Sequence, residues 1–282
     1  MAAAHPPVMV NSCTGKMGQA VAEAVVRAGL PLVPYTLCVL RPGQEATTLS
    51  VAGTDMTMVL PHERDEVISS LMKQYPGMIT VDYTLPDTIH DMVDFYVRHG
   101  TPFVMGTTGG DRSKMLEQVS DAGLYSVIAP NMAKQIVMFQ ATLAWMTSSF
   151  HGGLDGYTLR VVESHQSSKK DTSGTAKAFV ESFQHIGMDF DVGQIELIRT
   201  EEEQMSVMNV PESALQGHAF HTYQLLSADK SVEFEFKHNV SGRSIYAEGT
   251  VDAVKFLAQR MAAGSEQKVY NMIDVLKQGS MR

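Results

Sequence analysis

The chain has 282 residues, of which 44% are hydrophobic and 19% are charged, and its formal net charge is −9. This length favours two domains or one large α/β domain, and the composition is that of an ordinary globular protein rather than a disordered one. The acidic balance and the scattered basic residues argue against nucleic-acid binding, because a phosphate backbone is bound by Lys and Arg clustered on one face.

The cysteine content and the lengths of the apolar runs indicate the kind of cellular compartment to expect. Two cysteines, Cys13 and Cys38, occur at no spacing typical of zinc sites, so a reducing compartment fits best. No apolar run approaches the roughly 20 residues that span a bilayer, and the N-terminal stretch lacks the pattern of a secretory signal. The sequence therefore predicts neither membrane association nor secretion, and it leaves a removed organellar transit peptide open.

Strand and helix signals alternate through the first half of the chain. The apolar run 7–10 predicts a strand, and apolar residues from Val21 to Ala28 recur at helical spacing until Gly29 ends the helix. Further strands are predicted at 32–40, interrupted by Pro34, and at 78–84, 102–105 and 125–129, with a helix starting at Pro86. Such alternation predicts a parallel, doubly wound sheet with ligands at the carboxyl ends of its strands.

The pattern changes after about Ala133. A long helical stretch is followed by predicted strands at 158–163, 194–200, 219–226 and 232–239, which indicates a mainly antiparallel second sheet. Residues 250–276 return to helical periodicity, which includes Tyr270, Ile273 and Leu276. The predicted fold is thus an α/β Rossmann-like doubly wound sheet with a second α+β domain.

The turn after the first strand resembles a dinucleotide-binding loop. Residues 12–18 have the layout of that fingerprint, with Ser12 where the first glycine is usual, and glycines at a helix N-terminus let a pyrophosphate approach the backbone. The alternative is a tight turn without a ligand. The loop residues predicted to contact the cofactor are Ser12, Cys13, Thr14, Gly15, Lys16 and Met17.

Two later turns and one arginine extend the predicted cofactor site. No carboxylate follows the second strand until Glu45, whereas Arg41 is placed to pair with a 2′-phosphate, so NADPH is favoured and NADH stays possible. An exposed loop arginine is the alternative. The residues predicted to contact the cofactor at the other strand ends are Thr84, Gly106, Thr107, Thr108, Pro130, Asn131 and Met132.

Several segments, in order along nearly the whole chain, resemble the dihydrodipicolinate reductases, and most closely their plant-type branch. This resemblance implies NAD(P)H-dependent reduction of a small cyclic imine dicarboxylate, 4-hydroxy-tetrahydrodipicolinate, to tetrahydrodipicolinate in lysine biosynthesis by the diaminopimelate route. The segments that carry it are Thr14 to Gly18, Val81 to Thr84, Gly106 to Gly109, Glu163 to Lys169, Asp171 to Ala176 and Gly242 to Ser244.

The segment 163–179 supplies the predicted chemistry of the second domain. The N–H groups and hydroxyls of Ser173, Gly174 and Thr175, just before a predicted helix that stops at Gly187, suit one substrate carboxylate. By resemblance, hydride reaches the ring carbon C4, and Lys169 with His165 supplies the proton, since histidine titrates near neutrality and a lysine beside positive charge can donate one. A surface lysine and a structurally satisfied histidine are the alternatives.

Two positions of this segment depart from the bacterial pattern or stay undefined. Gln166 stands where a second histidine is usual, so it is predicted to contact substrate without carrying charge. Lys170 is either solvated or functional, and Asp171 either caps the helix or orients Lys169. No metal is predicted, because His218 and His221 fall on opposite faces of a strand.

The sequence predicts residues 1–131 as the dinucleotide-binding domain, 132–242 as the substrate-binding and oligomerisation domain, and 243–282 as C-terminal helices that return to the first. The resemblance implies a homo-oligomer, dimer or tetramer, in the plastid stroma, with the cytoplasm as the alternative. A non-catalytic NADPH-sensing regulator, or a semialdehyde or homoserine dehydrogenase, is the rival function. Acylating semialdehyde enzymes need a cysteine nucleophile, which the second domain lacks.

Overall fold

The structure, a computed structural model, describes residues 5–38 and 49–279. Contacts between Cα atoms divide the chain into two compact units. The first unit comprises Met1–Lys134 and Ser244–Arg282, and the second comprises Gln135–Arg243. Each unit has its own sheets and its own buried side chains, and none of the described helices has the length and apolar character needed to cross a membrane.

The helices and strands follow one another in three runs along the chain. The first run is β1 (Val8–Val10), α1 (Lys16–Arg27), β2 (Tyr35–Leu37), β3 (Leu49–Val51), β4 (Thr54–Val59), α2 (Arg64–Gln74), β5 (Ile79–Asp82), α3 (Ile89–His99), β6 (Phe103–Met105), α4 (Arg112–Asp121) and β7 (Ser126–Ile128). The second is α5 (Lys134–Ser149), β8 (Thr158–His165), α6 (Gly174–His185), β9 (Glu196–Ile198), α7 (Glu201–Ser206), β10 (His218–Leu226) and β11 (Glu233–Ser241). The third is α8 (Ser244–Ala262), β12 (Val269–Tyr270) and α9 (Met272–Lys277).

The first unit contains the predicted parallel sheet. Its five strands run in the order β1-β5-β6-β7-β12, and every neighbouring pair is parallel. All residues of β1, β5, β6 and β7 are buried, as expected for a sheet covered by helices on both faces. A smaller sheet, β2-β4-β3, completes the unit. The prediction of a doubly wound Rossmann-like fold is confirmed.

Two predicted elements of this unit differ from the structure. The strand expected at 32–40 is described only as Tyr35–Leu37, because Pro34 lacks the N–H that a ladder needs, while residues 39–40 lie outside the described part. The helical interpretation of 250–276 is wrong at Tyr270. That residue lies in β12 and pairs with Val127 of β7, so the C-terminal run adds an edge strand to the sheet.

The second unit contains the predicted mainly antiparallel sheet, in the order β11-β10-β8-β9. The central strand β10 pairs antiparallel with both β11 and β8, and β9 pairs parallel with β8. Helix α6 packs on this sheet through Phe179 and Phe183, and the ring of Phe179 stacks on Tyr223 with centroids 4.8 Å apart. The three strands β8, β10 and β11 bring the polar side chains of the second unit next to one another.

Candidate active site

The turn between β1 and α1 has the geometry of an anion-binding loop. Ser12 adopts φ +60°, a left-handed conformation that costs a residue other than glycine about 1–2 kcal/mol. A Cβ on Gly18 would lie 2.3 Å from the Ser12 carbonyl oxygen, so only glycine permits this close approach of helix and turn. No described side chain caps α1 at Gly15, which leaves the first N–H groups of the helix for a ligand.

A cavity of about 630 Å³ opens beside this turn. Its size lies within the range of small-molecule sites. Of the predicted cofactor residues, it is lined by Ser12, Thr14, Gly15 and Thr84. Arg64, the first residue of α2, also lines it, and sequence reasoning did not find that residue. These residues fit the phosphate-binding role predicted for the turn.

The remaining predicted cofactor residues fall outside the described lining of this cavity. The thiol of Cys13 points into the core, where it donates to the Val10 carbonyl and where burial raises its pKa to about 11. Arg41 lies outside the described residues. The others lie in the first turn of α1 or directly after β6 and β7: Lys16, Met17, Gly106, Thr107, Thr108, Pro130, Asn131 and Met132.

A buried carboxylate joins the strand ends around the cavity. Asp82, at the end of β5, accepts hydrogen bonds from the hydroxyls of Thr84 at 2.7 Å, Thr107 at 2.9 Å and Tyr96 at 2.5 Å. The Tyr96 oxygen accepts from Asn11 at 2.7 Å, and Asn11 in turn accepts from the backbone of Leu37. Thr84 and Thr107 are therefore held together by Asp82, whose role the sequence analysis missed.

In the second unit, the predicted active-site segment is built on a buried ion pair. The side chain of Glu163, on β8, is fully buried and pairs with Arg199 at 2.5 Å. Its two carboxylate oxygens also accept from the backbone N–H of Ser173, at 3.2 and 3.1 Å. Glu163 thereby fixes the start of α6 against β8.

Arg199 holds the rest of the segment in place. Its guanidinium donates to the backbone carbonyls of Lys169 at 2.8 Å and Asp171 at 3.3 Å. Gln204 donates to the carbonyls of both His165 and Arg199, at 3.0 and 2.9 Å. The conformation of the loop after β8 is thus defined by side chains that follow it by about thirty residues.

The side chains of the loop divide into capping and exposed groups. Ser173 caps α6 by accepting from the N–H of Thr175, so the capping role considered for Asp171 is wrong, and Gly174 begins the helix. Asp171 instead pairs with Lys169 at 2.7 Å, with side chains 77% and 21% exposed. The half-buried Lys169 ammonium is therefore held by a partner that solvent already surrounds.

The two positions that sequence reasoning left undefined lie beside Lys169. The backbone carbonyl of Gln166 accepts from the N–H of Lys169 at 2.9 Å, which closes a turn. Lys170 is exposed, and its ammonium donates to the Ser167 carbonyl at 3.4 Å. Gln166 thus shapes the loop, whereas Lys170 lies on its outer surface.

His165 is neutral at physiological pH. It is 8% exposed, and burial together with the positive charges of Arg199 and Lys169 lowers its pKa to about 3. This differs from the titration near neutrality expected from the sequence, because the sequence revealed neither the burial nor Arg199. A neutral imidazole in this position offers hydrogen bonds rather than a readily donated proton.

His218 and His221 project to different partners, as their spacing on a strand predicts. His218 hydrogen-bonds to Ser164 at 2.8 Å, whereas His221 lies 3.2 Å from His165 between ring nitrogens. Potential ligand atoms of Glu163, His165 and His221 lie within 4.8 Å of one another, as a metal site requires. The carboxylate of Glu163 is already held by Arg199 and Ser173, so a cation would compete with a guanidinium there.

Two family models together cover both units of the chain. Residues 6–132 match the family model for the dihydrodipicolinate reductase N-terminus, and residues 135–276 match the model for its C-terminus. The chloroplastic 4-hydroxy-tetrahydrodipicolinate reductase 1 of Arabidopsis thaliana is 50% identical over 98% of this chain and 79% of its own length. The 4-hydroxy-tetrahydrodipicolinate reductase of Gloeothece citriformis is 24% identical over 90% of this chain and 93% of its own length.

A solved structure shows the same fold at low identity. The dipicolinate-bound dihydrodipicolinate reductase from Paenisporosarcina sp. TG-14 superposes with a TM-score of 0.63 and 15% identity over 94% of this chain and 97% of that chain. A nucleotide-binding unit joined to a unit with a lysine and histidine loop defines a two-domain oxidoreductase that uses a pyridine nucleotide. The chain belongs to the dihydrodipicolinate reductase family, and its identity to the plant enzyme places it with the plant-type members.

Because the Glu163–Arg199 pair is buried, replacing Arg199 should lower the stability of the protein much more than replacing an arginine of an exposed pair. Arg199→Ala should lower the free energy of unfolding by about 3–5 kcal/mol, because it leaves the buried Glu163 carboxylate without its cation. Arg160→Ala, which breaks the exposed Arg160–Glu196 pair, should lower it by about 1 kcal/mol or less. Urea unfolding measures both, and equal effects of the two variants would contradict the structural role of Glu163 and Arg199.

The buried histidines predict a loss of stability in mild acid. Burial lowers the pKa of His165 to about 3, that of His238 to about 4 and that of His221 well below its usual range. Histidines of the unfolded chain titrate near 6.5, so below that pH the unfolded state binds protons that the folded state does not. The free energy of unfolding should be highest above pH 6.5 and should fall continuously as the pH is lowered toward 4.

Urea unfolding at pH 8, 7, 6 and 5 checks this dependence. The His238→Phe variant should show a smaller fall, because it removes one of the buried rings. The His151→Gln variant, which removes an exposed ring, should show the fall of the unmodified protein. Stability that does not change between pH 8 and pH 5 would contradict the burial of these rings in their neutral form.

Proposed function

We propose that this protein reduces 4-hydroxy-tetrahydrodipicolinate to tetrahydrodipicolinate with a reduced nicotinamide nucleotide, in the diaminopimelate route to lysine. The observation that carries the proposal is the loop in which Arg199 and Glu163 hold Lys169 and the start of α6 in one small region. That loop lies in a segment that matches the C-terminal family model. The N-terminal model covers the anion-binding turn.

The start of α6 and Lys169 are proposed to bind the substrate. A cyclic dicarboxylate needs donors for two carboxylates, and dipicolinate, which the Paenisporosarcina reductase binds, has the same two groups. The N–H of Gly174 at the start of α6 suits one carboxylate. The Lys169 ammonium is proposed to balance the second charge, and the amide of Gln166, in the same turn, is proposed to add a neutral hydrogen bond.

Lys169 is proposed as the proton donor. The nucleotide supplies a hydride to the substrate when bound, and the carbon next to the reduced one then requires a proton. The Lys169 side chain is partly exposed and pairs with Asp171, whereas His165 is neutral. The shared role predicted for Lys169 and His165 therefore becomes unequal, with Lys169 as donor and His165 as a neutral hydrogen-bonding group beside it.

The nucleotide-binding turn and Arg64 are proposed to hold NADPH in preference to NADH. Ser12, Thr14, Gly15 and Thr84 line the cavity and fit the phosphates and ribose. The guanidinium of Arg64 lies 5.1 Å from the centre of the Phe95 ring and 3.8 Å from the Met92 sulphur, contacts that orient its charge without neutralising it. A phosphate is the group that such a fork binds best, and Arg41 is proposed as a second contact.

The remaining proposals concern the setting of the enzyme. The Arabidopsis relative is chloroplastic, which favours the plastid, and its stroma, as the location of this protein. A homo-oligomer is proposed because β11 is an edge strand with exposed residues, among them Phe234. Dimer and tetramer both stay open.

The function is tested by mixing the protein with NADPH and enzymatically generated 4-hydroxy-tetrahydrodipicolinate and following the absorbance of the reduced nicotinamide. Substrate-dependent oxidation of NADPH is expected. Nucleotide binding without turnover would overturn the proposal and favour the non-catalytic regulator. Turnover with a semialdehyde or with homoserine, and none with the cyclic substrate, would favour the rival dehydrogenases.

Two neighbouring lysines give a matched pair of variants. Lys169→Ala should lower kcat by roughly 10²- to 10⁴-fold, because the reaction loses its general acid. Lys170→Ala, one residue further along the same loop, should change kcat by less than about twofold, because that exposed ammonium contacts the Ser167 carbonyl and no other described residue. Similar kcat values for both variants would show that Lys169 is not the proton donor, even if the reductase activity is present.

Arg64 makes the nucleotide preference testable. Arg64→Met should raise KM for NADPH roughly 10-fold, the value of a charge-assisted hydrogen bond to the 2′-phosphate, and should change KM for NADH by less than about threefold. Arg27→Met, which removes an exposed arginine of α1, is the control and should change neither. An equal rise in both KM values would show that Arg64 does not recognise the 2′-phosphate.

A further inference from the structure

His165 is the outer end of a buried chain of hydrogen-bonding rings in the second unit. A ring nitrogen of His165, Nε2, lies 3.2 Å from Nε2 of His221, and Nδ1 of His221 lies 3.1 Å from the hydroxyl of Tyr223. That hydroxyl lies 3.4 Å from Nε2 of His238. The rings belong to the adjacent strands β8, β10 and β11, and His221 and His238 are direct cross-strand partners, stacked with centroids 4.6 Å apart.

Each member of the chain carries a single hydrogen for these contacts. Burial lowers the pKa of all three histidines, so each ring is neutral and has one N–H. Burial also raises the pKa of Tyr223 well above its usual value, so its hydroxyl keeps its proton. The Tyr223 hydroxyl contacts only His221 and His238 among the described residues, so its hydrogen is donated to one of these two rings. If every hydrogen of the chain is used in this way, two directions are possible for the whole chain.

The first direction begins with an N–H on Nδ1 of His165, so that its Nε2, which faces His221, accepts. His221 therefore donates from Nε2 and accepts at Nδ1 from Tyr223, and Tyr223 accepts from Nε2 of His238.

The inner end of the chain selects this direction. Nδ1 of His238 is buried and has no hydrogen-bond partner among the described residues. In the first direction, that nitrogen carries a lone pair. In the opposite direction it would carry a buried N–H without an acceptor, and orphaned buried N–H groups are the rarer of the two in proteins.

We propose that His221, oriented by Tyr223 and His238, is a positioning residue that holds His165 as the neutral Nδ1–H tautomer, so that Lys169 alone supplies the proton of the proposed reduction. The inference rests on the proposed function for its catalytic part. The fixed tautomer itself is a property of the second unit. The proposal gives His221 and His238 a role that neither their spacing in the sequence nor the family resemblance predicted.

The charges around His165 act in the same direction. Arg199 follows β9, and Lys169 lies in the loop after β8, so two cations disfavour a third charge at His165. Glu163, the carboxylate on β8, is compensated by Arg199 and Ser173. His218 and His221 on β10 are neutral neighbours whose pKa values burial also lowers. Every described group that packs on His165 is thus compatible with an uncharged ring.

The experiment is a long-range ¹H–¹⁵N spectrum of the full chain labelled with ¹⁵N-histidine, recorded from pH 5 to pH 8, with His165 assigned through a His165→Gln variant. His165 is expected to show the Nδ1–H tautomer and no titration in this range. In His221→Leu, it is expected to lose the single tautomer, because the ring nitrogen that donates to it is gone. His221→Gln, whose amide can donate to His165, is expected to restore much of the original signal.

Kinetics of the same variants separate positioning from a structural defect. His221→Leu should lower kcat by roughly 10- to 100-fold, as is typical of groups that orient a functional histidine, with KM changed less than about threefold. His221→Gln should restore most of the lost kcat. A general loss of folding would instead reduce the active fraction without changing the His165 tautomer of the folded protein, and His238→Phe then serves as the milder variant with effects in the same direction.

Two results would overturn the inference. One is a His165 ring that titrates between pH 5 and pH 8 in the unmodified protein. The other is a His165 tautomer that His221→Leu leaves unchanged. Absence of any turnover in the unmodified protein would overturn the proposed function alone, because the tautomer is measured without substrate.

Discussion

The buried pair of Glu163 and Arg199 is the constraint on which the rest of the second unit's site depends. Glu163 lies on β8 with no exposed side-chain area, and a carboxylate there is tolerable only with a cation and further donors. Arg199 is that cation, and the Ser173 N–H is the further donor. Because the guanidinium has more N–H groups than the carboxylate needs, it also binds the carbonyls of Lys169 and Asp171. One compensated charge therefore defines the strand end, the loop and the start of α6 together.

In the first unit, a buried carboxylate likewise fixes several segments, but its hydrogen-bond donors are neutral. Asp82 is also fully buried at a strand end, and three hydroxyls and one backbone N–H surround it instead of a cation. Those hydroxyls belong to Thr84, Thr107 and Tyr96, which come from three different segments. Binding a carboxylate fixes their directions, because each hydroxyl has one proton to donate. The positions predicted for ribose and nicotinamide contacts are thus organised by a residue that is not exposed to a ligand.

The parts of the fold that follow from local pattern could be predicted from the sequence, and the parts that depend on distant partners could not. The strand, turn and helix around Gly15 and the helix after Ser173 are confirmed, since apolar spacing and helix-start residues specify them. The strand at Tyr270 was missed, because two residues in a parallel edge strand carry no period of their own. Likewise, His165 and Lys169 were found through their segment, whereas Arg199, His221 and Gln204 stand 30 to 60 residues away and show no motif. A glutamate among inward-facing positions of β8 was the available signal, since a buried carboxylate requires a partner.

The loop contains two ion pairs of different kinds. One is buried and holds the loop in place, and the other is partly exposed to solvent. Glu163 and Arg199 are buried and mutually compensated, so an arriving dicarboxylate cannot exchange either without exposing an unpaired charge in the interior. Lys169 and Asp171 form the opposite kind of pair, with the aspartate mostly in water, and such exposed pairs contribute about 1 kcal/mol or less. A substrate carboxylate can therefore displace Asp171 from Lys169 at little cost in free energy. The proposed role of Lys169 is compatible with this arrangement: its ammonium is paired with a group that is easily displaced, while the backbone that carries it is held by the buried Arg199.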